Sequence, residues 1–216
     1  METNWIRQRL WKHLNCLVPV YGSGDDAGNY TEVWLDNGEK LLDRRRVKTV
    51  LKALATYLGV SWRQQYTAWV EAGRSHLVPI VLGPEMALVP LRLRRPRSRD
   101  EGGTGYVVTG NVIKCEPYFK PPYRSRLVLK GGQVLPCFLS IATLELRLLA
   151  GRKALQRRWE IYRETRQELV AADPAVYKDE GHLLVEPGGN AHPVRVVNRL
   201  GDLIIVCRDN KSSPWS

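Results

Sequence analysis

The sequence predicts an α+β protein, mostly antiparallel β, with one amphipathic helix in each half and a C-terminal β-meander. Three observations carry this expectation. Short runs alternate apolar and polar residues with the period of a half-buried strand. Clusters of Gly, Asn and Asp cut those runs apart at hairpin spacing. Two stretches repeat their apolar residues at i, i+3 and i+4, as a helix with one buried face requires.

The elements follow in order. Residues 1–13 form an amphipathic segment, and Cys16 to Tyr21 is an apolar strand ending in the turn cluster Gly22 to Asn29. Tyr30 to Leu35 alternates as a strand, Asp36-Asn37-Gly38 makes a hairpin turn, and Glu39 to Leu42 returns. Asp43 is placed to cap a helix whose buried stripe is Val47, Val50, Leu51, Leu54 and Leu58. His76 to Leu82 and Met86 to Leu93 read as strands, followed by a polar, mobile loop from Arg94 to Gly105. Tyr106 to Cys115, Arg124 to Leu129 and Gln133 to Cys137 are further strands. Ser140 then caps a long helix reaching Ala172, striped by Ile141, Leu144, Leu148, Leu155, Trp159 and Tyr162, with a bend at Gly151. His182 to Glu186, Val194 to Asn198 and Leu203 to Cys207 complete a terminal meander within residues 173–216.

The two halves echo each other. Val33 to Leu41 parallels Leu127 to Leu135 as strand, Gly turn and return strand, and each leads into a helix. Val47, Val50 and Leu54 fall opposite Ile141, Leu144 and Leu148, so a β-β-α internal repeat is a candidate. The halves are drawn at residues 14–93 and 106–172, joined by the loop 94–105. Two related modules would suit a DNA site read as two spaced half-sites.

Composition narrows the function. Hydrophobic residues make up 44% and charged residues 25%, which excludes a disordered chain. No apolar run approaches the roughly 20 residues that span a bilayer. Met1 to Leu14 has no signal-peptide core, so a cytoplasmic location is expected. The net charge is +11, and residues 1–172 hold 28 of the 33 basic side chains against 16 of the 22 acidic ones. Arg dominates, clustering at Arg44 to Arg46, from Arg92 to Arg99, at Arg124 and Arg126, and at Arg157-Arg158. Such a field draws a polyanion by counterion release, and Arg is the better phosphate fork and minor-groove reader.

Readings as an enzyme fare worse. Cys16, Cys115, Cys137 and Cys207 are far apart, as are the four histidines, so they read as buried small hydrophobes and scattered imidazoles, not zinc ligands. No phosphate loop, zinc-protease motif or nucleophile elbow occurs. Gly102-Gly103-Thr104-Gly105 lacks the helix that follows a phosphate cradle. Asp36 with Glu39-Lys40 faintly suggests a metal-dependent nuclease, but turn chemistry explains them more simply. No enzyme activity, cofactor or metal is expected. Leu54 to Trp62 reads like the first helix and turn of a helix-turn-helix, with Trp62 to Ala72 as its recognition helix. Tyr66 and Trp69 fall out of phase with its usual anchors, which keeps it a minority reading.

From Leu58 to about Leu149 the order of features resembles the bacterial competence transcription factor family ComK. The pieces are Leu58-Gly59-Val60-Ser61-Trp62, Val78-Pro79-Ile80-Val81, Gly83-Pro84, Leu88-Val89-Pro90-Leu91, Tyr106-Val107-Val108 and Asn111-Val112-Ile113-Lys114. Leu127 to Leu135 completes the series, and compatible elements extend the likeness to residues 14–160. After Trp62 the family favours a Gly-Arg pair, whereas this chain has Arg63-Gln64-Gln65-Tyr66, a departure that bears on DNA-site preference. Leu127 to Leu135 is also similar, more weakly, to the end of a LytTR-type DNA-binding domain. The resemblance implies a DNA-binding transcriptional regulator that reads paired A/T-rich boxes through the minor groove, as a homodimer or higher homo-oligomer at the nucleoid.

The expected contacts to double-stranded DNA are Arg92, Arg94, Arg95, Arg97 and Arg99, then Arg63, Arg124, Arg126 and Lys130. An RNA- or ribosome-associated protein is the alternative, with Trp34, Trp62, Tyr118 and Phe119 stacking on bases, although core packing is the favoured role of these aromatics. A protein-binding adaptor using the C-terminal meander is the third class. Changing Arg94, Arg95 and Arg97 together to Ala is expected to weaken duplex binding and flatten its salt dependence in a fluorescence-anisotropy titration.

Overall fold

A computed structural model describes residues 4–22, 28–61, 78–97, 101–172, 192–197 and 203–208. The predicted class holds: the chain is α+β, with open, antiparallel sheets. Leu14–Tyr21 (β1), Asn29–Leu35 (β2) and Lys40–Asp43 (β3) form a meander that leads into the helix Val47–Tyr57 (α1). Ile80–Gly83 (β4), Met86–Arg92 (β5) and Thr104–Val108 (β6) extend it into a six-stranded sheet of order β3-β2-β1-β6-β5-β4. Val112–Pro117 (β7), Ser125–Leu129 (β8) and Val134–Cys137 (β9) form a second, three-stranded sheet that leads into the helix Ile141–Ala172 (α2).

The six-stranded sheet buries both faces. Leu17, Val33, Leu35, Leu88 and Val108 point to one side, where they meet Val47, Val50, Leu51 and Leu54 of α1 and Trp5 and Ile6 of the N-terminal segment. Cys16, Trp34, Val89, Leu91 and Val107 point to the other, against Leu127, Leu129, Leu135 and Cys137 of the second sheet and Leu144 and Leu148 of α2. Period-two alternation is what lets one strand feed two cores. Small buried hydrophobes are expected of all four cysteines, and the three whose burial is described agree: Cys16 and Cys137 are buried and Cys115 is half-buried. Burial raises all three thiols, Cys137 to about 12, so none is a thiolate at neutral pH.

The internal echo exists as a structural repeat. Lys40 and Val134, the first residues of β3 and β9, are 94 positions apart, and so are Val47 and Ile141, the first residues of the two helices. The turns of the two repeats touch. A Cβ on Gly131, whose φ is +73°, would lie 2.2 Å from the Asp36 carbonyl oxygen, so only glycine fits this contact.

Several expectations need correction. Asp43 does not cap α1. Its carboxylate takes the Trp5 indole N–H at 3.0 Å and the Arg45 guanidinium, and the helix starts after Arg46 without a side-chain cap. Burial pushes the Asp43 carboxyl up, but the bonds from Arg45 and Trp5 outweigh it and hold it below its usual value. Tyr106 to Cys115 is two strands, because the 3-10 turn Thr109–Asn111 carries the chain from one sheet to the other. Asn111 anchors that crossing by donating to the Leu14 carbonyl at 2.8 Å. Thr104 and Gly105, expected to end the Arg- and Gly-rich loop, open β6 instead and pair with β5 in the first sheet. The C-terminal strands are His192–Val197 (β10) and Leu203–Arg208 (β11), an antiparallel hairpin, and the expected strand 182–186 lies outside the described residues. So does the expected recognition helix, residues 62–72.

Ser140 does cap α2, accepting the Thr143 N–H at 3.3 Å. Its stripe is buried at Leu144 and Leu148, but Trp159 is 45% exposed and rests edge-on against Tyr162. Among the described residues the apolar contacts of α2 with the sheets run to Ala154 and Leu155, and Arg158 beyond them is still half-buried, its pKa lowered by that burial. Gly151 is no interruption. The helix continues through it, and an added Cβ would lie 2.4 Å from Thr109 Cγ2 and 2.5 Å from Val89 Cγ2. Gly151→Ala therefore sets about 1 kcal/mol of helix propensity against about 1–3 kcal/mol of overpacking on two stiff β-branched side chains. A lowered melting temperature is the expected result in a thermal denaturation series, and a raised one would mean the contact relaxes freely.

Candidate nucleic-acid interface

Antiparallel pairing decides which loops share an end of the sheet. Asp43 pairs with Thr31, Tyr21 with Asn29, and Arg92 with Thr104. The Arg44–Arg46 segment, the end of β1 and the loop after Arg92 therefore emerge together. The second sheet joins them at the same end, since the Phe138 N–H donates to the Arg92 carbonyl and the Arg124 N–H to the Cys137 carbonyl. Four segments distant in sequence thus form one rim.

The rim is cationic. Arg44, Arg46, Arg92, Arg95, Arg97, Lys120 and Arg124 are exposed. Among the described residues none of Arg44, Arg46, Arg92, Arg95 and Arg124 makes an ion pair. Of the described acids here, Asp43 holds Arg45, and Glu101 accepts from the Arg97 N–H at 2.7 Å. From β3 to β5 is four strand spacings, or about 19 Å. A duplex carries about 11 phosphates over that length, more than enough to match every exposed cation. The other end of the sheet is mixed, with Asp36, Glu39 and Glu85 beside His13 and Lys130.

Tyr21 organises the Arg-rich loop. Its hydroxyl lies 2.8 Å from Glu101 Oε2, and it accepts the Arg97 N–H at 3.1 Å. The guanidinium carbons of Arg94 and Arg97 lie 3.9 and 4.1 Å from the centre of its ring. Arg94 is half-buried, donating to Asn29 Oδ1 and to the Gly102 carbonyl. Burial pulls its pKa below the usual value, while Tyr21 and Glu101 push it back up, and it remains charged at neutral pH. The loop expected to be mobile is thus tied down at its described residues.

The predicted contacts divide accordingly. Arg92, Arg95, Arg97 and Arg124 share the rim. Arg94 lies there too, turned inward as part of the scaffold. Arg126 is held by Glu116, with Nε and Nη2 each 2.7 Å from its Oε2, and hydrogen bonds from Lys114 and Arg126 hold that carboxyl below its usual value. Lys130 sits at the opposite end of β8 from Arg124 and does not belong to the rim. Arg63 and Arg99 lie outside the described residues. Composition marks Arg44 to Arg46 as a cluster but does not assign it to the site; its pairing next to β2 is the signal, legible only once strand register is known.

The aromatics divide as well. Trp34 is buried, as core packing predicted, with its N–H on Glu32 at 2.9 Å. Tyr118, Tyr123 and Phe138 form a tier at the rim, with ring centres 6.4 and 4.9 Å apart. Phe119 breaks the expectation: it is 91% exposed. Trp62 lies outside the described residues. Among the described residues no His, Cys, Asp and Glu group is arranged to hold a metal ion, and Asn37 Oδ1 accepts the Glu39 N–H at 2.9 Å, the turn chemistry expected there. No helix among the described residues is long and apolar enough to cross a membrane.

With the fold and the rim in view, comparison with protein-family models, curated proteins and solved structures finds no match to any of them.

The inward placement of Arg94 makes its loss a folding effect. Arg94→Ala should lower stability by about 1–3 kcal/mol, the cost of removing charged hydrogen bonds from a half-buried network. Arg95→Ala should change it by less than about 0.5 kcal/mol. Urea denaturation of the two variants checks this, and equal destabilisation would contradict it.

Proposed function

We propose that this chain is a DNA-binding transcriptional regulator that grips double-stranded DNA with the cationic rim. The supporting observation is the convergence of Arg44, Arg46, Arg92, Arg95, Arg97 and Arg124 at one sheet end, while the opposite end is mixed. A line of exposed guanidinium groups about 19 Å long matches a phosphate backbone in charge and length. Arg also rewards the negative potential of a narrow, A/T-rich minor groove without base-specific bonds. That preference agrees with the resemblance to the ComK family, which adds paired boxes and a homodimer or higher homo-oligomer to the proposal.

Binding of RNA is the second reading, and it rests on Phe119 and the aromatic tier at the rim. A protein partner on the hairpin of β10 and β11 is compatible with either.

The test is an anisotropy titration against A/T-rich duplex, G/C-rich duplex and folded RNA across salt concentrations. Tightest, salt-dependent binding to the A/T-rich duplex is expected. In the triple variant with Arg92, Arg95 and Arg124 changed to Ala, the log–log salt slope should shrink by about 0.9 for each phosphate no longer neutralised. Lys130→Ala, at the far end, should leave it unchanged. Preference for folded RNA, or equal loss in both variants, would count against the rim as a duplex grip.

A further inference from the structure

Phe119 is the most exposed large apolar side chain of the described residues, and it stands on a braced loop. The Tyr118 N–H donates to the Arg124 carbonyl at 3.2 Å, and the Tyr123 N–H to the Lys120 carbonyl at 3.0 Å, closing the loop at its base and within it. Pro117, Pro121 and Pro122 restrict the backbone on both sides of the tip. Tyr118 and Tyr123 fold back toward Phe138, whereas Phe119 does not join the tier. Lys120 and Arg124 flank it in the loop, and Arg95 lies over Phe138 with its guanidinium carbon 5.9 Å from the ring centre.

We infer that Phe119 is a wedge that enters a base-pair step of the bound duplex, while the surrounding cations hold the phosphates on either side. This rests on the duplex-binding reading and deepens it. A bare ring on a stiff tip, set within a cationic rim, has the form of the apolar side chains that partly unstack a step from the minor groove. The ligand it selects is a duplex offering an easily opened step, above all TpA, whose weak stacking makes entry cheap. Sequence preference then arises at a step where the protein makes no base hydrogen bond. A lipid surface fits less well. One ring gives little insertion area, and the cations run on for about 19 Å along the sheet end, well beyond the tip.

The experiment uses the full chain and A/T-rich duplexes in which 2-aminopurine is walked one position at a time. Its fluorescence rises when the base is unstacked. A several-fold rise confined to one step is expected for the wild type. Phe119→Ala should abolish the rise and keep the salt slope of binding, because the cations are untouched. Phe119→Trp should retain it, and matching circular-dichroism melts would exclude misfolding. Duplex binding with no local rise, or an undiminished rise in Phe119→Ala, would overturn the wedge and leave the cationic grip standing. Absence of duplex binding altogether would overturn both readings. A Phe119 requirement seen only with single-stranded nucleic acid or with anionic vesicles would likewise overturn it, in favour of unpaired bases or lipid.

Discussion

Between Leu14 and Cys16 the first strand carries one residue more than its partner, and that residue, Asn15, is fully buried. Its amide nitrogen lies 2.8 Å from the Lys130 carbonyl, 2.9 Å from Gln133 Oε1 and 3.3 Å from the Leu35 carbonyl. The bulge turns Leu14 to the α1 side with Leu17, and leaves Cys16 and Val18 for the second sheet. The same side chain ties the turn of the second meander to the edge of the first. A buried amide left without those acceptors would be costly, so the bonds fix how the two sheets sit on each other.

Most of the functional geometry follows from that alignment. Asn15 and Gly131 join the sheets at one end, so β8 and β9 must run their other termini toward the end where Arg92 emerges. Phe138 and Arg124 close the contact there. The charge asymmetry among the described residues is thus a matter of topology: antiparallel strands deliver the Arg-rich segments to one end and the Asp36–Glu39 turn to the other. Concentrating like charges costs free energy in the absence of an anion. Part of that cost is offset by stacking Arg94 and Arg97 on Tyr21 and by the carboxylates of Asp43 and Glu101.

The repeat is equally physical. Each meander presents one apolar face that it cannot cover alone, and each is followed by an amphipathic helix. The copies then diverge. The first gains three strands, β4 to β6, and so a second buried face. The second stays three-stranded but carries a helix of 32 residues, whose described apolar contacts with the sheets reach Leu155. The outer face of its small sheet is left to the ion pairs of Lys114, Glu116 and Arg126, which is why Arg126 serves the sheet and not the rim.

Local pattern by itself determined the class and nearly all the strands, because alternation, Gly turns and helical spacing are written in neighbouring residues. It placed the long helix from Ser140 to Ala172, the buried cysteines and the 94-residue echo. It also marked Arg92, Arg95, Arg97 and Arg124 from composition alone. Tertiary structure decided what depends on distant partners. Asp43 faced Trp5 instead of a helix, Gly151 met Val89 and Thr109 at close range, and Arg94 turned in to Tyr21 while Lys130 went to the far end. Phe119, which composition assigns to a core, stayed in water because its loop is closed by backbone bonds beneath it. Burial and register are properties of pairs of segments, and no window along the chain contains both members.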